Sequence, residues 1–312
     1  MNKNIIRVVI ISILLSTPFN FATAKEKINT NIKQETQIYK KALKKQGNIS
    51  GVCAQLEQYQ QYIDEALSVL NKEFWENKQL YKKIEEYGKF EKNNVILIKN
   101  KDKEIDAYSQ YLNENGLKLG YSEGAIYLYF DPTYIVASFK DVLPNTVAEY
   151  YAIEAQDIKE GFEDDGGLTI PWDSIRKRIM LHEASLNKIS KVNCSYLQKL
   201  VKEKISLYAN AYMLGLPNSS IEDKIIEAKS SYEKFLSENK TSGYYKMVEK
   251  YYTDLKRNNF KFRRKEEVKE GSTYVGPSIL DKNGKEVFVS ELAEKYLKEA
   301  GIAIVESEGE RD

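Results

Sequence analysis

From Ala54 to Tyr87 apolar residues recur at helical spacing, and this stretch constrains the fold more than any other part of the chain. Leu56, Tyr59, Ile63, Ala66 and Leu70 step by three and four, and Leu80, Ile84 and Tyr87 resume the rhythm. Such a stripe runs along one side of an α-helix and must be buried against another element. Glu73 and Asn77 interrupt it while Phe74 and Tyr81 take over one residue along, the drift of a straight helix against a seven-residue repeat. The stretch reads as one arm of an antiparallel helical hairpin, with a dimeric coiled coil as the alternative. Residues 28–46, with Ile28, Ile32, Ile38, Ala42 and Leu43 on one side, form the first helix, and Gly47 to Gly51 breaks it.

The first 24 residues have the grammar of an export signal. Lys3 and Arg7 precede an apolar run from Val8 to Leu15, and Ala22-Thr23-Ala24 offers a signal-peptidase site. The run is too short to span a bilayer, which takes about 20 apolar residues. No later segment reaches that length, so no transmembrane segment is expected. The reading is a periplasmic or secreted protein, cleaved after Ala24.

An exported chain can oxidise its thiols, and Cys53 and Cys194 are the only two it has. A disulfide between them is the leading expectation. Buried free thiols, or a nucleophile served by His182, are the alternatives. The single histidine rules out a site with two histidine ligands from one chain, and two cysteines cannot build a four-cysteine zinc site. The 47 basic and 46 acidic residues nearly cancel, which argues against a nucleic-acid partner. No phosphate-binding or dinucleotide motif is found, and no cofactor is expected.

Beyond Asn93-Asn94, Val95 to Ile98 reads as a short strand and Lys101 to Asn115 as a helix. Leu117 to Tyr121 and Ala125 to Phe130 form a hairpin in which Tyr127 and Tyr129 alternate with Ile126, Leu128 and Phe130. From Pro132 the chain is helical: Val147 to Lys159, a helix opened by Trp172-Asp173-Ser174, Cys194 to Tyr212, Ile221 to Glu238, and Gly243 to Asn258. Two of these helix pairs are related by an offset of about 50 residues, Glu183 to Leu186 matching Glu233 to Leu236. The tail predicts a hairpin over Ser278 to Val289 with Asn283-Gly284 as a type I′ turn. A helix capped by Ser290 and ended by Gly301 follows, then a strand over Ile302 to Val305. The fold class is mainly α. The organisation is a signal peptide (1–24), a helical hairpin (25–93), a small β/α element (94–131), a repeat-like helical domain (132–260) and a hairpin-helix tail (261–312).

Ala228, Tyr232, Phe235-Leu236, Asn239 and Ser242, followed by Val248 and Tyr251-Tyr252, resemble tetratricopeptide-type helical hairpins. The resemblance covers roughly 222–260 and extends at most over 174–260. The family's Trp-x2-Leu-Gly-x2-Tyr pattern in the first helix is missing. The resemblance implies helical repeats that bind peptides or proteins, and it carries over no catalytic residue. The stretch from Gly120 to Trp172 is also similar to segments of uncharacterised exported bacterial proteins.

The candidate binding residues are Tyr127, Tyr129, Glu163, Asp164, Asp165 and Trp172. Tyrosine is the odd composition, 23 against 11 Phe and 2 Trp, and rings with a polar tip suit interfaces and sugar-binding grooves. Pairs such as Tyr59 and Tyr62 or Tyr150 and Tyr151 fit core packing equally well. Glu163 to Asp165 form an acidic loop that could offer oxygens to Ca²⁺, though not at EF-hand spacing, or stay solvated. Those carboxylates with Glu123 or Asp131 could also make a glycosidase pair. Six basic residues between Lys256 and Lys265 read as a solvated linker, or as a patch for anionic lipid or cell-wall polymer. The leading function is a non-enzymatic module of the bacterial envelope that binds a protein, a peptide or a cell-wall polymer. The alternative is a cell-wall-active hydrolase using Asp and Glu.

Overall fold

A computed structural model describes residues 29–90, 95–98, 102–122, 124–269 and 272–305. The signal-peptide stretch, Glu123 and the last residues of the tail lie outside the described residues. The fold is mainly α, with eleven helices and small antiparallel sheets among the described residues. No described helix is long and apolar enough to cross a membrane. The chain divides into two compact units, the first made of residues 1–165 and 187–199, the second of 166–186 and 200–312.

The first unit begins with α1 (Ile32–Lys44) and α2 (Ile49–Glu76). Ile32, Leu43, Leu56, Tyr59 and Ile63 are buried, as the stripe requires. Thr36 and Tyr59 join the two helices through their hydroxyls, 2.7 Å apart in the core. The expected break before Ala54 is shorter than predicted. Asn48 accepts a hydrogen bond from the Gly51 N–H at 2.8 Å, which starts α2 at Ile49 and leaves Gly51 inside the first turn. The long helix also divides. Asn77 ends α2 and its side chain caps the Leu80 N–H, opening α3 (Lys78–Tyr87).

A four-stranded antiparallel sheet follows, ordered β1 (Gly88–Phe90), β2 (Val95–Ile98), β3 (Leu117–Ser122) and β4 (Ala125–Phe130). α4 (Lys103–Glu114) is inserted between β2 and β3. Ile96, Leu117, Leu119, Ile126 and Leu128 are buried, and β4 packs against α2. Pro132 opens α5 (Pro132–Phe139), capped by Asp131, and α6 (Asn145–Glu160) packs on it. β5 (Glu163–Asp164) ends this part.

The second unit holds β6 (Gly167–Leu168), most of α7 (Trp172–Ile189) and α8 (Ser195–Leu214), then β7 (Gly215–Leu216) and β8 (Ser219–Ser220). Next comes a helical hairpin of α9 (Ile225–Glu238) and α10 (Tyr245–Arg257). Its contacts run in reverse order, Glu233 to Tyr252 and Lys229 to Phe260, so the two helices are antiparallel. The C-terminal end of α8 is capped by aromatic side chains. The last carbonyls of α8 have no partner inside the helix. The Tyr212 carbonyl accepts from Trp172 Nε1 at 3.1 Å and from the Tyr232 hydroxyl at 2.6 Å, and the Met213 carbonyl accepts from the Tyr251 hydroxyl at 2.7 Å.

The tail departs from expectation in four places. Lys261 to Lys265 is no linker, because Arg263 opens β9 (Arg263–Lys269), which pairs with β10 (Ser272–Leu280). The turn from β10 to β11 (Glu286–Phe288) is not type I′. That turn needs positive φ at both central residues, and of Asn283 and Gly284 only Gly284 has it, at 79°. The loop is instead built on Asp281, whose carboxylate accepts from the Asn283 and Lys285 N–H groups. Ser290 does not cap α11 (Val289–Glu299), because β11 runs straight into the helix and Phe288 takes the cap position. Finally, 302–305 is not a strand. The Asn210 side chain donates to the Ala303 carbonyl and accepts from the Val305 N–H.

Candidate functional site

Side chains alternate across a strand, so β4 has two faces. Ile126 and Leu128 are buried on one, and Tyr127 and Tyr129 stand half-buried on the other. The two rings lie 6.3 Å apart, centroid to centroid, at 52°. Register sets their neighbours on β3, with Gly120 opposite Tyr127 and Lys118 opposite Tyr129. The Tyr127 ring lies across β3. A Cβ placed on Gly120 would come within 2.6 Å of the ring's Cζ and 2.8 Å of its hydroxyl oxygen. Glycine is therefore what lets this ring lie down on the sheet.

Beside the rings, Lys118 reaches Asp131, Nζ to Oδ2 at 2.6 Å. Oδ1 of Asp131 accepts from the Thr133 N–H and starts α5. Burial alone would raise the Asp131 carboxyl, but the Lys118 ammonium and the Thr133 bonds outweigh it and hold the group below the ordinary carboxylate range. Burial pushes the Tyr127 hydroxyl up to about 12 and the Tyr129 hydroxyl higher, with Asp131 adding to the second shift. Both tyrosines are neutral donors at any physiological pH.

The free edge of β4 is occupied through its middle. In an antiparallel pair, alternate residues turn their N–H and C=O away from the partner strand. On β4 these are Ile126, Leu128 and Phe130, and side chains meet the first two. Asn71 on α2 donates to the Leu128 carbonyl at 3.0 Å and accepts from its N–H at 2.7 Å. Trp75 Nε1 donates to the Ile126 carbonyl at 2.7 Å, and the Tyr81 hydroxyl accepts from the Ile126 N–H at 3.1 Å.

The other candidates fall elsewhere. Trp172 was expected at a binding surface but is 1% exposed. It is a core residue of the second unit, held there because its indole N–H caps α8. Glu163, Asp164 and Asp165 are exposed consecutive residues, and desolvation raises the Glu163 carboxyl. Asp131 is ill suited to act as a general acid, which needs a raised pKa. Cys53 and Cys194 are bonded, with sulfurs 2.06 Å and Cα atoms 5.6 Å apart, so neither carries a thiol for nucleophilic chemistry. Both belong to the first unit, where they join α2 to the 187–199 segment. His182 is fully buried on α7, its ring 5.5 Å from Tyr208. Among the paired tyrosines, Tyr59, Tyr150 and Tyr151 are core residues, and Tyr62 is half-buried, donating to the Asn29 carbonyl.

Sequence reasoning found the two tyrosines by their alternation but missed Gly120 and Lys118. Only the pairing register brings those two beside the rings. No family model matches the chain, and neither the curated proteins nor the solved structures provide a match.

Proposed function

We propose that this chain is an exported, non-enzymatic binding module that holds its partner on the outer face of β3 and β4. The partner class is a protein, a peptide or a cell-wall polymer. One observation carries the reading: Tyr127 and Tyr129 stand side by side on the face of β4 that points away from its buried residues. Two large amphipathic rings on a sheet face supply contact area at little entropic cost, the usual use of tyrosine at a recognition surface. The signal grammar of residues 1–24 and the Cys53–Cys194 pair both suit an oxidising compartment, which supports a periplasmic or secreted location.

The test uses the full mature chain, cosedimented with isolated cell-wall polymer and passed over immobilised peptides. Binding that Y127A/Y129A abolishes, with the melting temperature kept, is the expected result. Turnover of a cell-wall glycan or peptide that disappears on changing one carboxylate would overturn the reading in favour of a hydrolase. Mass spectrometry of the mature N-terminus checks the export step, which predicts a chain starting at Lys25.

A further inference from the structure

Three features of the β3–β4 face narrow what it can hold. The first is the pose of Tyr127. Because Gly120 has no side chain, the phenol end of Tyr127 reaches over β3 instead of standing clear of the sheet. A ring laid over its own sheet is part of a surface, not an anchor for insertion into a partner's pocket. The second is charge. Lys118 and Asp131 neutralise each other beside the rings, and both tyrosine hydroxyls keep their protons. An anionic polymer would require unpaired cations here. The third is the occupied middle of the β4 edge. A peptide commonly adds to a sheet as an extra strand, using the backbone groups of a free edge. On β4 those groups at Ile126 and Leu128 are already taken by Asn71, Trp75 and Tyr81. The sheet face itself offers only side chains.

We propose that the Tyr127–Tyr129 face binds an uncharged stretch of glycan, with the C–H face of one sugar ring packed against one tyrosine ring and the other ring beside it. A pyranose has an apolar face and a rim of hydroxyls. One ring meets the face, while the tyrosine hydroxyls, Lys118 and Asp131 offer donors and acceptors to the rim. This inference rests on the outer face being the binding surface.

The experiment titrates the full mature chain with the uncharged tetramer of N-acetylglucosamine, followed by calorimetry and by chemical shifts of the tyrosine rings. Saturable binding is expected. Y127A/Y129A should weaken it by about tenfold or more, and G120V, which keeps both rings but lifts Tyr127 off the sheet, should weaken it too. Raising NaCl from about 50 to 500 mM should change the Kd by no more than roughly twofold, since no net charge is matched. Thermal melts show which variants fold, and Y129A alone serves if the double variant does not. Absence of binding, binding indifferent to both tyrosines, or a Kd that rises steeply with salt would overturn the inference. If the tetramer fails while an immobilised peptide is held in a Tyr127-dependent way, the glycan is wrong and the binding face stands. If neither is held, both fall.

Discussion

Asn71 and Leu128 stand 57 positions apart and are joined by two hydrogen bonds, with the Asn71 amide donating to the Leu128 carbonyl and accepting from its N–H. The same amide also donates to the Leu67 carbonyl one turn back on α2. One buried side chain thus does for β4 what a fifth strand would do. Asn258 makes the same pair of bonds in the second unit, to Leu280 of the central strand β10 beyond the end of its pairing with β9, and also donates to the Asp254 carbonyl behind it. An exposed strand edge invites pairing with other chains, and asparagine closes it because its amide carries both a donor and an acceptor.

Truncating Asn71 leaves the N–H and C=O of Leu128 buried without partners. Each orphaned group costs about 1–3 kcal/mol, so N71A should lose roughly 2–6 kcal/mol of stability. The midpoint of urea unfolding should fall with its slope unchanged. A loss under about 0.5 kcal/mol would mean that water reaches this edge as readily as the amide does.

The disulfide gives a second prediction. Cys53 and Cys194 are buried and close a loop over a separation of 141 residues. On the chain-entropy model a loop of that length is worth on the order of 5 kcal/mol, with native strain subtracting from it. C53A/C194A should therefore cost a few kcal/mol, most of it through the unfolded chain. Denatured, unreduced protein should show no titratable thiol and denatured, reduced protein two. Two thiols before reduction would refute the pairing.

Elements whose signal is local were readable in the chain itself. The alternation of Ile126, Leu128 and their tyrosine neighbours marked β4, and the step of Leu56, Tyr59 and Ile63 marked α2. Features that depend on distant partners were not. β1 is three residues long, too short for its period to show. The apolar run Ile302 to Val305 looked like a strand, yet what it meets is the Asn210 side chain. Trp172 opens a helix and was read as a candidate binding residue. Its place in the core is set by the end of α8, 40 positions away. In the same way Tyr127 could be assigned to a face, while its contact with Gly120 waited on the register of β3 against β4.

Acid should find the Lys118–Asp131 pair. The folded state holds the Asp131 carboxyl below the ordinary value of 3.8. A depressed carboxylate contributes stability that is present in full above its unfolded pKa and lost as pH falls through the folded one. The wild type should thus lose stability below about pH 4. D131N should be less stable near neutrality and should lose less on acidification. Urea midpoints at neutral pH and at about pH 2.5 give the comparison. Parallel acid profiles for the two proteins would refute it.

Alkali should find the buried tyrosines at the end of α8. Tyr212, Tyr232 and Tyr251 are buried, and desolvation pushes all three hydroxyls far above the ordinary value of 10.0. Here the neutral form is the one the fold prefers. Stability is therefore complete below pH 10 and lost as pH rises toward the folded values. In an ultraviolet titration of the 23 tyrosines the buried set should ionise only as the protein unfolds. Y251F removes the hydroxyl that donates to the Met213 carbonyl and keeps the ring. It should cost about 1–2 kcal/mol, since one buried carbonyl loses its partner while packing is unchanged. Y232F leaves the Tyr212 carbonyl with the Trp172 indole still donating, so its cost should be smaller. Equal costs for the two variants would show that the carbonyls at the end of α8 do not depend on these side chains for their partners.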